Sequence, residues 1–389
     1  MRLATPPWGA LRVGALLVCG CALPPPPGSQ HDAAGTDTPG APCATGLVAC
    51  SGTCVDPASG LIVCRGVCVN AATEVANCGS CGRRCVADQT CVTGVCVGGG
   101  ILAQRSCMAA GTRECGMVPI PGGTFTMGEA SPAYDAAPVQ SNVTVGNFAI
   151  DAYEVTVARF RLWVTAGRPV PSGPVMYRGG PLPFEGTVNT VEELRTYYMG
   201  TAPDSRCNWN ASDREDHPIN CVNWSTAQAF CVWDGGRLPT QAEWEFAARG
   251  SAGRIFPWGG MTGDTPTNAQ ACWSGAGMSR TSTCVVGSLP AGDAPGGIHD
   301  LAGNVWEWNA DRYSTYFSMP PDGGQTCWDN TAANNTICNE RGSRPGVRVL
   351  RGGSWGNTYA ADLRAASRGY VTPAYRTPGV GFRCARDTP

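Results

Sequence analysis

Twenty-two cysteines in 389 residues constrain this chain more than any other feature. Proteins kept in a reducing cytosol rarely carry such a density, whereas exported chains use it to crosslink loop-rich folds. The chain is therefore expected to fold in an oxidising compartment, with disulfides supplementing its core. Glycine (52) and proline (31) together exceed a fifth of the residues, so turns and irregular segments should dominate.

The N-terminus agrees with export. Arg2 and Arg12 flank a short basic region, and Val13 to Val18 form an apolar run too short to span a bilayer. Val18-Cys19-Gly20-Cys21 follows. It resembles a bacterial lipobox, with Cys21 as the lipidated residue of a signal peptide over 1–21. Ala22, rather than aspartate, predicts an outer-membrane-attached lipoprotein of the cell envelope; cleavage near Cys21 to release a secreted protein is the alternative. Residues 22–42, with four consecutive prolines, read as a stiff tether. No later run reaches transmembrane length, so a lipid would be the only membrane attachment.

All 28 basic residues are arginine. Schiff-base chemistry and a lysine-containing phosphate loop are thereby excluded. No basic stripe or nucleic-acid motif is present, so no nucleic-acid partner is expected.

Residues 43–100 form a cysteine-rich module with a short repeat: Cys50-Ser-Gly-Thr-Cys54-Val, Cys64-Arg-Gly-Val-Cys68-Val and Cys91-Val-Thr-Gly-Val-Cys96-Val. Cys78-x2-Cys81 has the spacing of a zinc or thioredoxin-like site, but an even cysteine set in an exported chain reads more simply as a disulfide ladder. The repeat and the string NCGSCG (77–82) resemble Stig1-like modules, which implies a spacer or adhesion surface.

Residues 107–389 make the main domain. Met117–Gly128 predicts a strand broken at Pro121-Gly-Gly123, and 143–150 predicts a second strand. Thr156 should cap a helix reaching Gly167, Thr190 and Glu193 a short helix over 191–199, and Ser225 a helix ending at Gly235. Thr240 and Glu243 form a capping box for a further helix that stops at Gly250. The short segments near 349–355 and 379–386 read as strands. The fold class is α+β, with few helices and many short strands. Gly297–Asn309 concentrates two tryptophans, Asp300 and Glu307, which suggests a packed turn rich in oxygen ligands.

Six strings, PGGTFTMG (121–128), 217–250 ending RLPTQAEWEFAARG, FPWG (256–259), GIHDLAGNVWEW (297–308), VLRGGSW (349–355) and GVGFRCAR (379–386), occur in the order seen in the formylglycine-generating enzyme family. The resemblance spans about 117–387. It implies an irregular fold similar to C-type lectins, with structural calcium. It also implies copper-dependent oxidation of a sulfatase cysteine by two active-site cysteines, because paired thiolates suit Cu(I). Here those two positions fall on Asn357 and Asp362, and copper is not expected. Trp306, Ser354 and Arg364 remain as cleft candidates beside them.

The same resemblance assigns calcium to Asp300, Gly303, Val305 and Glu307, two side chains plus two backbone carbonyls, in keeping with that ion's preference for oxygen. The rival reading has Asp300 closing a turn and Glu307 pairing with an arginine. Asn268, beside Ala269, would belong to a second calcium site. The resemblance also implies a Cys231–Cys384 disulfide. Short loops suggest Cys207–Cys221, Cys272–Cys284 and Cys327–Cys338. A Ser354–His299–Asp triad is conceivable, and Asp362 with Arg364 could form a surface pair. The tryptophans 224, 244, 306, 308 and 355 are assigned mainly to the core.

The function expected is a non-oxidase domain that binds a peptide, glycan or protein partner in its cleft. The alternatives are a divergent enzyme using Ser354, Asn357, Asp362 and Arg364, and a calcium-stabilised surface adhesion protein in which the cysteine module does the binding.

Overall fold

The computed structural model describes short stretches between 48 and 98, and then 104–108, 112, 114–129, 140–197, 200, 202–261, 264–313, 337–338 and 346–388. Cys21, the 22–42 tether and Cys327 lie outside the described residues. The described part of the cysteine module consists of three antiparallel hairpins, one on each copy of the repeat. They are Val48–Cys50 (β1) with Thr53–Val55 (β2), Leu61–Cys64 (β3) with Val67–Asn70 (β4), and Gln89–Val92 (β5) with Val95–Gly98 (β6). Cys78 is bridged to Cys91, and Cys81 is also disulfide-bonded, so the Cys78-x2-Cys81 spacing serves crosslinks rather than zinc or a redox pair.

In the main domain Met117–Ile120 (β7) and Gly123–Met127 (β8) flank the Pro-Gly turn. The segment expected as one strand over 143–150 is two, Gln140–Val145 (β9) and Phe148–Asp151 (β10), because the chain turns at Gly146-Asn147. β8 pairs with β9, and β10 lies between β7 and Ala385–Asp387 (β17). Val157–Thr165 (α1) is capped by Thr156, whose side chain accepts from the Arg159 amide. Val175–Tyr177 (β11) and Gly180–Leu182 (β12) form a small hairpin in the insert. The helix expected over 191–199 is only a 3-10 turn at Glu193–Arg195; the Thr190–Glu193 reciprocal bonds exist, but they cap a single turn.

Trp224–Trp233 (α2) starts two residues earlier than expected. Asn223, not Ser225, is its cap, because the Asn223 carboxamide accepts from the Thr226 amide. Ser225 donates instead to Glu185 O. Gln241–Arg249 (α3) has the full Thr240–Glu243 capping box. Residues 224–231 of α2 are all buried, as is the whole of α3. Such helices sit inside the core and do not lie on its surface.

A four-stranded sheet completes the domain, in the order Gly369–Val371 (β15), Arg348–Arg351 (β14), Trp306–Arg312 (β13), Val380–Gly381 (β16). The indoles tie α2 to β13 in both directions: Trp224 Nε1 donates to Asn309 O at 2.9 Å and Trp308 Nε1 to Val222 O at 2.9 Å. Cys231–Cys384 crosslinks α2 to the residue before β17. Cys107–Cys115, Cys207–Cys221 and Cys272–Cys284 close local loops, and Cys338 is disulfide-bonded. Together with the absence, among the described residues, of any helix long and apolar enough to cross a membrane, these crosslinks are consistent with an extracytoplasmic protein.

Candidate functional site

Two turns meet where the sequence motifs concentrate. In the first, Asp300, Gly303 and Asn304 all take positive φ (55°, 87° and 59°), leading the chain into β13. Gly303 admits no side chain, since a Cβ there would lie 2.5 Å from Cys272 O. In the second, Gly352 and Gly353 (φ 95° and 76°) turn the chain out of β14. Backbone bonds lace the two together: Gly303 N donates to Gly352 O and Trp355 N to Asn304 O, both at 2.8 Å. Ser274 joins them by donating from its amide to Asn357 O and from its hydroxyl to Trp355 O.

Beneath the first turn is a buried group of acids. Glu307 is fully buried, and its carboxylate accepts both Nε and Nη2 of Arg383, at 2.7 and 2.8 Å, and Trp244 Nε1 at 2.7 Å. Asp300 accepts from the Gly287 amide. Glu154 accepts from Asn304 Nδ2 at 2.5 Å and Val305 N at 3.1 Å. Burial and the neighbouring Asp300 and Glu307 charges push the Glu154 carboxyl well above the usual range. Burial also pushes Asp300 up. Three acids thus surround one guanidinium.

Both Glu307 oxygens are taken by Arg383 and Trp244, the arginine pairing of the rival reading, and Asp300 closes a turn at positive φ. A calcium ion held by Asp300, Glu307 and the Gly303 and Val305 carbonyls would have to share Glu307 with those three donors. Among the described residues no cluster of three or more His, Cys, Asp or Glu side chains is spaced to hold a metal, so backbone oxygens would have to complete the shell. Asn268 shares no described hydrogen bond with this group. Its Nδ2 reaches Gly275 O at 3.5 Å, and its buried Oδ1 has no partner.

The second turn carries the residues expected to line the cleft. Ser354 donates to Asn357 Oδ1 through its amide at 2.9 Å and its hydroxyl at 2.8 Å. A backbone N–H can only donate, so the Asn357 oxygen must face Ser354 and its NH2 must face away. Nδ2 then donates to Asp362 Oδ2 at 2.5 Å. Asp362 sits on the 3-10 turn Ala360–Leu363, half-buried, and burial raises its pKa. A hydrogen-bonded amide and carboxylate therefore occupy the positions that the resemblance gives to two thiolates.

Several expected arrangements are absent. Arg364 does not pair with Asp362; both its Nε and Nη2 go to the Glu129 carboxylate, two residues past the end of β8. The Ser354–His299–Asp triad does not form, because His299 Nδ1 meets Asp293 at 2.8 Å and its ring stacks on Tyr153. Trp306 is half-buried against the α2–β13 core and shares no described hydrogen bond or ring contact with Ser354, Asn357 or Asp362. Trp355, the neighbour of Ser354, is tied into the wall by donation from Nε1 to Pro378 O. Glu129, Glu154 and Arg383 are site residues that sequence reasoning missed. Their partners lie far along the chain, so only the location of Arg383 inside a recognised string hinted at its role.

The Sulfatase-modifying factor enzyme 1-like domain matches residues 104–388. The formylglycine-generating enzyme of Mus musculus is 32% identical to this chain, over 70% of it and 75% of the relative. That of Thermomonospora curvata is 33% identical, covering 70% and 93% respectively. A protein named inactive C-alpha-formylglycine-generating enzyme 2, from Bos taurus, is 33% identical, covering 69% and 87%. Among solved structures, PvdO from Pseudomonas aeruginosa has the same fold, with a TM-score of 0.50 at 24% identity over 70% of this chain and 94% of that one. The ordered motifs, the irregular α+β fold and these matches place this chain in the sulfatase-modifying factor enzyme 1-like domain family.

Proposed function

We propose that the domain is a non-oxidising member of its family that uses the Ser354–Asn357–Asp362 cleft to bind a peptide, glycan or protein partner. The carrying observation is the donor set. Soft Cu(I) needs thiolates, and this cleft offers a carboxamide and a carboxylate. The nine described cysteines between 104 and 388 are all held in disulfides, which supports the same reading. The similarity to a relative named inactive, at the same identity as relatives named as enzymes, is compatible with loss of the oxidation. A pull-down comparing the wild-type chain with Asn357→Ala/Asp362→Ala should lose the captured partner in the variant. Equal capture by both would remove the cleft from consideration.

The protein is further proposed to be an exported, lipid-anchored envelope protein, with Cys21 as the anchor. A calcium ion at Asp300, Gly303, Val305 and Glu307 would stabilise the cleft floor, with Asn268 contributing to a second site. Calcium is expected to raise the melting temperature of the wild type and to do nothing for Glu307→Ala. Melting indifferent to both EDTA and added calcium would dismiss the ion.

A further inference from the structure

We infer that the groove between the β11 hairpin and the end of α2 is a second binding site, for a small carboxylate with an apolar tail, with Arg386 as the counter-charge. It shares no lining residue with the Ser354–Asn357–Asp362 cleft and does not depend on that reading. A pocket of about 500 Å³ opens there, within the range of small-molecule sites. Gly235 and Gly236 at the end of α2, with Arg386 and Asp387 of β17, form one wall; residues 171–176 form the other. The first wall is fixed in advance. The Cys231–Cys384 disulfide crosslinks α2 to the residue before β17, and Arg237 and Ala385 exchange backbone hydrogen bonds at 2.8 and 2.7 Å. Gly236 lies flat on the strand, since a Cβ there would sit 2.5 Å from Ala385 O.

The second wall supplies the apolar surface. Val175 and Tyr177 are buried, so the alternation of β11 turns Met176 outward, where it is 65% exposed. Val170, next to Pro171, is 51% exposed. Covering such side chains with a hydrocarbon tail removes apolar area from water. The charged end selects the sign of the ligand. Asp387 accepts Arg237 Nη2 at 2.5 Å and lies 3.5 Å from Arg178 Nε, so this carboxylate already serves two guanidiniums and has little left for a cation. Arg237 is buried and is also held by both oxygens of Glu243. Arg386 differs. Its Nη2 donates to a backbone carbonyl, Asp234 O, at 3.2 Å, while both oxygens of the Asp234 carboxylate are taken, by Arg159 and the Ser106 amide. Burial lowers the Arg386 pKa, against the opposing pull of Asp234 and Asp151, and an anion set beside the guanidinium would favour its charged form. The flat fork of guanidinium N–H groups matches a carboxylate.

The test is isothermal titration of octanoate, octylamine and acetate into the full chain and its Arg386→Gln and Met176→Ser variants, each checked by its melting curve. Octanoate should bind the wild type about tenfold more tightly than octylamine, the scale of one hydrogen-bonded charge pair. Acetate, which lacks the tail, should bind more weakly than octanoate. Arg386→Gln should erase the preference for octanoate over octylamine. Met176→Ser, at an exposed position, should weaken octanoate several-fold and leave the preference in place. A free acid and a peptide C-terminus both carry the same group, and N-acetylglycyl-leucine titrated beside octanoate separates them. Octylamine binding the wild type as tightly as octanoate, a comparison that needs no variant, overturns the inference. So does a preference that survives Arg386→Gln, octanoate affinity unchanged by Met176→Ser, or no octanoate binding up to millimolar concentration.

Discussion

Glu307 is held by two donors of Arg383 and the indole of Trp244, with no exposure to solvent. Removing it would strand a buried guanidinium, so Glu307→Ala should destabilise the domain by about 3–5 kcal/mol in denaturant unfolding. A loss below about 1 kcal/mol would mean that water reaches Arg383. Asp311 makes a separate prediction in pH. Burial pushes its carboxyl up to about 6, although the amides of Gln241 and Cys338 donate to it. Its folded pKa therefore lies above the unfolded one, and the folded state binds the proton more tightly. The contribution of this group is most favourable below about pH 4, is lost as pH rises through about 6, and is level beyond; it amounts to roughly 3 kcal/mol at one pKa unit per 1.36 kcal/mol. The unfolding free energy of the wild type relative to Asp311→Asn should fall over that window. A flat difference would show that Asp311 is hydrated in the native state.

At the scale of elements, crosslinks and caps carry separable contributions. Cys231 and Cys384 are 153 residues apart, and closing a loop of that size constrains the unfolded chain by about 5 kcal/mol in the chain-entropy model. Cys231→Ser/Cys384→Ser should lose most of that in unfolding free energy. Thr240→Ala removes one side of the α3 capping box and should cost about 1 kcal/mol. The capping box was legible in the sequence because its partners are three residues apart. The breakdown of 143–150 into two strands was not, because the turn at Gly146-Asn147 is weaker than the apolar pattern around it. The cleft shows the same division. Ser354, Asn357 and Asp362 lie within nine residues and could be read together. The Arg364–Glu129 pair joins positions 235 residues apart, which no local pattern reveals. Arg364 has a residue two positions away as an obvious partner, and the tertiary fold gives it another.

At the scale of the molecule, the scaffold and the chemistry separate. Six ordered strings specify the fold, because they supply its tight glycine turns, buried indoles and crosslinked strands. None of them contains the two positions on which the family's oxidation depends. The turn into β13 and the turn out of β14 lace together beside the Cys272–Cys284 disulfide, and a hydrogen-bonded amide and carboxylate stand at those two positions. The proposed function keeps the family fold without the copper oxidation. The most direct measurement incubates the full chain with Cu(I), dioxygen and a CxPxR peptide, and reads both metal binding and conversion of the peptide cysteine by mass spectrometry, with Asn357→Cys/Asp362→Cys alongside. The prediction is no formylglycine and no tight Cu(I) binding by the wild type, with Cu(I) binding appearing in the double-cysteine variant. Formylglycine produced by the wild type would contradict it.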